Sequence, residues 1–421
     1  MPAKEWSPIR IKRNAILSAW LLSLLPLASC SGAGESGEPV QLTFWTTTSP
    51  AETTFFRNRI DAFMEDHPGI QVRIEQHEFP FATNEFKTAV LGDQSVDVFR
   101  ADNTWIPEYA ELEILYPLDE LSPASRFGGY VPSAMEPLRY RNRLYGLPSV
   151  LEVPALLYNK RMLSEAGFQA PPATMDELLA MAKKLTGSSR YGMFVTEDSY
   201  YALPYLWAFG GGMITEEGKI EIASEDSRRA LAFMVRLREE GVTQPYADFT
   251  DWYNRMVGDF ADGRSAMIMN GPWAIGDIRS TGGQFRNNDY LGIAPMPKGP
   301  KGQGSPIGGH SLVINKYSAH PNESLELIAY LTDSETQVRQ SLAFKTLPTQ
   351  TAAYADKRLA QDKIVQGFKK QLDTAKARPA LPEGSALFRD FTHNLSAILL
   401  GKVSVEEGTR NIEADWKDLL D

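Results

Sequence analysis

Apolar and polar positions alternate from residue 40 onward. Val40, Leu42 and Phe44 alternate with Gln41, Thr43 and Trp45, which predicts a strand over 40–45. Pro50 opens a helix in which Phe56, Ile60 and Phe63 recur at helical spacing, and Pro68-Gly69 stops it. Ile70, Val72 and Ile74 alternate with Gln71, Arg73 and Glu75 in a second strand. Phe86, Ala89 and Val90 mark a helix, residues 96–99 a short buried strand, and residues 106–112 another helix. Strand, helix, strand, helix, strand is the order of an α/β fold with right-handed crossovers.

A second region begins near Val150. Residues 156–158 read as a strand and 161–166 as a helix. Thr174 and Glu177 form a capping box ahead of Leu178, Leu179, Ala182 and Leu185. Residues 191–195 form a strand, and an aromatic helix over 200–209 ends at Gly210-Gly211-Gly212. Ala230, Leu231, Met234 and Leu237 stripe a helix that starts near Ser224, with Glu225 and Asp226 at its positive end. Residues 266–269 are an apolar strand that Gly271-Pro272 turns into a helix near Trp273. The stretch 295–306 is rich in proline and glycine and predicts a loop or crossing. A strand at 311–314 and a helix at 322–331 follow. After Pro348 the chain reads as helical to its end, with stripes at Phe391, Leu395, Ile398 and Leu399, then Ile412 and Trp416. Breaks near 148–151, 300–306 and 346–350 leave four stretches, which fit two domains sharing three crossings.

The N-terminus is different. Basic residues precede an apolar run at 15–28 that is too short for an ordinary spanning helix and has the layout of a secretory signal. Leu27-Ala28-Ser29-Cys30 resembles the bacterial lipobox, whose cysteine is lipidated and becomes the mature N-terminus. Cys30 is the single cysteine of the 421 residues, so the exported chain forms no internal disulfide. Residues 31–39 are a flexible tether. The expected product is an extracytoplasmic protein held to a membrane surface by lipid on Cys30. Net charge is −10 for the whole chain, and removing the basic signal makes it more acidic. No basic stripe for nucleic acid is visible.

Several motifs together resemble the extracellular solute-binding proteins of bacterial ABC importers, in particular the maltose-binding-protein-like, carbohydrate-binding group. They are Leu42-Thr43-Phe44-Trp45; Val96-Asp97-Val98-Phe99 with Asp102, Trp105 and Leu118-Asp119; Leu157-Tyr158-Asn159-Lys160 with Ala166-Gly167 and Pro171-Pro172-Ala173-Thr174; Gly263-Arg264-Ser265-Ala266-Met267 with Asn270-Gly271-Pro272-Trp273; and Pro295-Met296-Pro297, Gly308-Gly309 and Leu331-Thr332-Asp333. Their order covers about residues 40–421. The resemblance implies an α/β, two-lobed periplasmic-binding-protein-like fold of class II, with a hinge and a ligand cleft between lobes. The first lobe would be 40–149 with 306–347, the second 150–305 with 348–421. It also implies a monomer that binds a mono- or oligosaccharide and delivers it to transmembrane permease subunits driven by a cytoplasmic ATPase. No cofactor or metal is implied.

A neutral sugar offers apolar ring faces to aromatic planes and hydroxyls to charged or amide groups. Asp102 follows a buried strand, where open α/β sheets place ligands. It matches the family's sugar-binding aspartate; the alternative is a loop cap or surface acid. Trp273 matches the stacking tryptophan of the Asn-Gly-Pro-Trp motif. Trp45 is either a ring platform or core. Glu152 is either a sugar contact or a hinge ion pair, and Tyr158 either reaches the cleft or is structural. Trp207, Trp252 and Tyr253 are cleft or core aromatics of the second lobe. Gly308 and Gly309 would let backbone approach the ligand or simply permit a tight turn, and His310 follows them as a hydrogen-bonding candidate.

A glycosidase would need two carboxylates, such as Asp102 and Glu152, but no catalytic motif, Walker sequence or clustered histidines accompany them. Catalysis is therefore not expected. The competing readings are a binding protein for a non-sugar solute and a surface adhesion lipoprotein.

Overall fold

The computed structural model describes residues 38–421, apart from 93–94, 216, 247–250, 282 and 287–289. The apolar run at 15–28, Cys30 and most of the tether lie outside the described residues.

The first strands are β1 (Val40–Thr46), β2 (Ile70–Gln76) and β3 (Val98–Asp102). A short hairpin, β4 (Arg139–Tyr140) and β5 (Arg143–Leu144), leads into β6 (Gly146–Glu152). Then come β7 (Ala155–Asn159), β8 (Tyr191–Met193), β9 (Ser265–Asn270) and β10 (Leu291–Ala294). The last are β11 (Ser305–Pro306), β12 (Gly308–Ile314) and β13 (Ala375–Lys376).

These strands make two main sheets, ordered β2-β1-β3-β12-β6 and β10-β7-β9-β8. Each sheet has its own apolar core. Phe44, Phe56, Phe63, Phe86 and Phe99 fill the first, and Leu157, Phe260, Met267, Phe368 and Trp416 belong to the second. Each such side chain contributes about 1.5–3 kcal/mol by leaving water. The molecule therefore has two lobes. The chain leaves the first sheet at 153–154, returns through β11 at 305–307, and leaves again after Leu347, which exchanges backbone bonds with Leu151.

Strand directions decide where a ligand can sit. β1 is parallel to β2 and β3, whereas β12 is antiparallel to both β3 and β6. The carboxyl ends of β1, β2, β3 and β6 therefore share one edge with the start of β12. In the second sheet Ala155, at the start of β7, pairs with Asn270 at the end of β9. Only residues 153–154 separate Glu152 from Ala155, so the two ligand-facing edges adjoin at the crossing.

The structure corrects the sequence reading in several places. β6 runs through the composition break at 148–151. Pro148 is tolerated because β6 is an edge strand. Side chains cover that edge: Gln337 donates to the Pro148 and Ser149 carbonyls and Thr349 to Pro148. The helix Ser334–Phe344 carries no apolar stripe because its buried face is largely polar, including Thr336, Gln337, Gln340 and Ser341. β10 also went unpredicted. The C-terminal region is not continuously helical: β13 and the loop at 377–383 interrupt it. Arg139, Arg141 and Arg143 sit on the β4–β5 hairpin, where Arg141 pairs with Glu111 and Arg143 with Asp119 and Glu120, as a solvated face.

Candidate functional site

Asp102 ends β3 at the shared edge. Its Oδ1 accepts the Thr104 backbone N–H at 2.8 Å and the Thr104 hydroxyl at 2.6 Å, capping the turn Asn103–Trp105. Arg378 donates from Nη2 to the same oxygen at 3.3 Å and from Nε to the Ile307 carbonyl at 3.2 Å. Its guanidinium lies over the Tyr200 ring, 5.4 Å from the centroid. Arg378 thus touches the second crossing, a first-sheet carboxylate and a second-lobe ring together. The side chains of Arg378 and Asp102 are only 9% and 13% exposed, so this is a buried pair rather than a surface one.

Two more titratable groups join them. His310 stands opposite Asp102 in the β3–β12 ladder, and its Nδ1 lies 3.3 Å from Glu152 Oε2. Burial pushes the Asp102 carboxyl up, but Arg378, then His310 and the Thr104 bonds, outweigh it and hold it below the usual carboxylate value. Burial raises the Tyr200 hydroxyl well above its ordinary value, with Arg378 opposing.

Gly308 and Gly309 make this cluster possible. Gly309 has φ +139°, and a Cβ there would collide with the Val150 carbonyl. A Cβ on Gly308 would meet the Tyr200 hydroxyl at 3.0 Å.

The second lobe supplies aromatic surface. Trp273 lies in the turn Pro272–Ala274 just after β9, and Gly271 leaves room for its ring, since a Cβ at 271 would overlap it. Burial raises the Tyr253 hydroxyl's pKa, with the Asp277 and then Glu152 carboxylates adding to the rise and the neighbouring Asn270 and Trp273 opposing it. Trp252 meets Tyr201 and Tyr253 edge-on, with centroids 5.3 and 5.8 Å apart. Trp252, Tyr253 and Trp273 are half-buried and pack on the second core.

Asp102, Glu152, Gly308, Gly309 and His310 therefore converge, with Trp252 and Trp273 on the neighbouring lobe. Three other candidates do not join them. Trp45 is 7% exposed, belongs to the first core and stacks on His77 at 3.9 Å. Tyr158 pairs with Met267 and Gly292, three positions along β7 from the ligand-facing end, and its ring covers Gly292. Trp207 packs under Gly304 with Lys376 over its ring. Arg378, Tyr200 and Thr104 are the residues that sequence reasoning missed. Pro379 and Pro382 follow Arg378 and were the available sign that this stretch is a loop.

The comparisons with known proteins fit this architecture. Residues 58–367 match the family model for bacterial extracellular solute-binding proteins. The chain belongs to that family. The GacH receptor of Streptomyces glaucescens, solved unliganded and with acarbose, is 31% identical, with a TM-score of 0.85 over 91% of this chain and 98% of that one. An ABC transporter solute-binding protein of Thermotoga lettingae, solved with α-D-tagatose, is 26% identical, with a TM-score of 0.80 over 90% of this chain and 99% of that one. The maltotriose-binding protein of Pyrococcus abyssi is 26% identical over 83% of this chain and 75% of its own length. The fold is thus that of a two-lobed, class II solute-binding protein, a family that binds solutes outside the cytoplasm and does not catalyse. Among the described residues no helix is long and apolar enough to cross a membrane.

Proposed function

We propose that this solute-binding protein captures a mono- or oligosaccharide between its lobes and delivers it to the permease of an ABC importer. The observation that carries this reading is the juxtaposition at the adjoining strand edges. A buried polar cluster, Asp102, Arg378, Glu152 and His310, suits sugar hydroxyls, and the half-buried rings of Trp252, Tyr253 and Trp273 suit a sugar face. The relatives named for acarbose, tagatose and maltotriose support the same ligand class. In this reading Asp102 and Glu152 accept hydroxyl hydrogens, Arg378 and His310 orient them, and Trp273 stacks. The first lobe comprises 40–152 and 308–347, and the remainder closes on it.

The ligand bridges both lobes and so selects their closed arrangement. Titration calorimetry with mono-, di- and trisaccharides should find a binder, and small-angle scattering at saturation should show a smaller radius of gyration. A ligand at a hundred times its Kd adds about 2.7 kcal/mol of stability, which a thermal melt reads directly. Saturation without any change in the scattering curve would count against closure, and absence of any sugar binding would remove the carbohydrate reading.

The lipid anchor is the other part of the proposal. Leu27-Ala28-Ser29-Cys30 supports it. Cys30→Ser should release the protein from the membrane fraction, and mass spectrometry should find lipid on the N-terminal cysteine of the unaltered protein. An unmodified N-terminus elsewhere would overturn it.

A further inference from the structure

Among the described residues, the large apolar side chains most open to solvent fall at two places. Phe79 and Phe81 begin the helix Phe79–Leu91, at the ligand-facing edge of the first sheet. Leu91, Leu112 and Tyr317 are 71%, 47% and 62% exposed, and all three lie at the other end of that sheet. Leu91 closes the same helix, which runs from the carboxyl end of β2 back to the start of β3. Leu112 caps the helix Ile106–Glu111, which returns from the end of β3. Tyr317 follows β12, which is antiparallel to β3 and so ends where β3 begins. Backbone bonds tie these ends together: Asn315 donates to the Asp97 carbonyl, Lys316 to Ile114 and Tyr116 to Ile314. The three exposed side chains therefore share the pole of the first lobe opposite the Asp102 cluster.

Folding does not account for them, because none of the three packs into the first core. Charge does not guard them either. Arg141 pairs with Glu111, Arg143 with Asp119 and Glu120, and Lys316 with Glu120, so the ionic side chains around Leu112 and Tyr317 are matched among themselves. This pole is also where the chain enters the fold. β1 starts there, with the Val40 N–H on the Gly69 carbonyl. Val40 comes ten residues after Cys30, along a stretch rich in glycine and serine. Such a segment spans about 17 Å as a flexible coil and at most about 36 Å when fully extended. The ligand-facing edge lies a further strand length away, roughly 20 Å. A lipid on Cys30 therefore keeps a bilayer within reach of Leu91, Leu112 and Tyr317, the one extended surface that the tether brings to this pole.

We propose that Leu91, Leu112 and Tyr317 form a membrane-contact surface, which seats on the bilayer and turns the ligand-facing edge of the anchored protein away from it. The inference rests on the lipid-anchor reading above. A lipid chain fixes how far the protein can stray and leaves its orientation free. Apolar side chains that enter the headgroup boundary choose which pole faces down. Tyr317 suits that depth, since its ring is apolar and its hydroxyl can stay among the headgroups. The edge that carries Asp102 then opens to the solvent from which the solute arrives.

The test uses the full lipidated chain on vesicles of phosphatidylethanolamine and phosphatidylglycerol that carry a doxyl-labelled lipid as quencher. Mass spectrometry first checks for lipid on Cys30. Cys30 is the chain's single cysteine, so a thiol introduced by Tyr317→Cys takes a fluorophore alone. Phe81→Cys is the control, because Phe81 is 59% exposed and lies at the opposite edge. The label at 317 should lose most of its fluorescence to the quencher, and the label at 81 little. Adding Leu91→Ser and Leu112→Ser should bring the two sites to equal quenching while the protein stays on the vesicles. Thermal melts confirm that each variant is folded. Equal quenching at both sites without those serines means that the protein tumbles on its tether, which overturns the contact surface and leaves the anchor standing. Shielding of the label at 317 only when the permease is added assigns the pole to a protein partner and overturns the surface as well. If Cys30 carries no lipid, the anchor reading falls and this inference with it.

Discussion

Arg378→Met is expected to destabilise the protein by about 3–5 kcal/mol at neutral pH, because it strands a buried carboxylate without its cation. Asp102 is also faced by His310 on β12, Glu152 on β6, Tyr109 on the following helix and Tyr200 from the second lobe, and only His310 can add positive charge. In the unaltered protein the Asp102 pKa is depressed. Its contribution is present above the unfolded value, near 3.9, and is lost as pH falls through the folded value. Without Arg378, burial acts against His310 and Thr104 alone and the carboxyl rises. Protonation then relieves the variant as pH falls, so its deficit should be widest near pH 7.5 and clearly smaller near pH 4.5. Denaturant melts at the two pH values measure this. Arg378→Lys should recover part of the loss, and Asp102→Asn combined with Arg378→Met should cost less than the sum of the two. A deficit that is equal at both pH values would mean that Arg378 acts through packing and not through the Asp102 charge.

The Arg378 result also marks the boundary of what the sequence discloses. Asp102, Glu152, His310 and the glycine pair were legible because each sits at the end of a strand whose alternation or apolar run is local, and strand ends are where such folds bind ligands. Trp273 could be picked out as a candidate because Gly271-Pro272 turns the chain just after β9, where its ring packs half-buried on the second core. Arg378 was not, because its role depends on contacts with residues 102, 200 and 307, far away in the chain. No periodicity carries that information.

The fold divides along the same line. Helices with a single apolar stripe, such as Pro50–Asp66 and Glu225–Glu239, were legible, and so were strands with clean alternation. The misses are elements whose buried face is polar or whose pattern is interrupted. Ser334–Phe344 buries glutamine, serine and threonine side chains that make specific hydrogen bonds, as Gln337 does to β6. β6 contains a proline that only its edge position allows. Trp45 and Tyr158 could be read either way from the sequence. A large ring in a motif looks functional until pairing registers place it over His77 or Gly292.

Asp198→Asn should stabilise the protein by about 3 kcal/mol at pH 8 and by little at pH 4. Asp198 caps the turn Ser199–Ala202 by accepting the Tyr200 N–H at 2.9 Å, next to the ring that carries Arg378. Burial pushes its carboxyl up to about 6, with the Tyr200 bond opposing. The unfolded value is near 3.9, and each unit of difference is worth about 1.4 kcal/mol. Between pH 4 and 6 the folded chain holds a proton that the unfolded chain has released, so stability falls as pH rises. Above 6 the folded state carries the whole cost of an ionised, largely buried carboxylate. Asparagine is neutral throughout and caps a turn as well as aspartate does, so the substitution removes the cost and keeps the local hydrogen bond. Urea unfolding of the pair at pH 8, 6 and 4 should therefore show a gap that closes over the last two points. A gain that is constant across pH would place the effect in packing, and a loss at every pH would show that the turn requires a carboxylate.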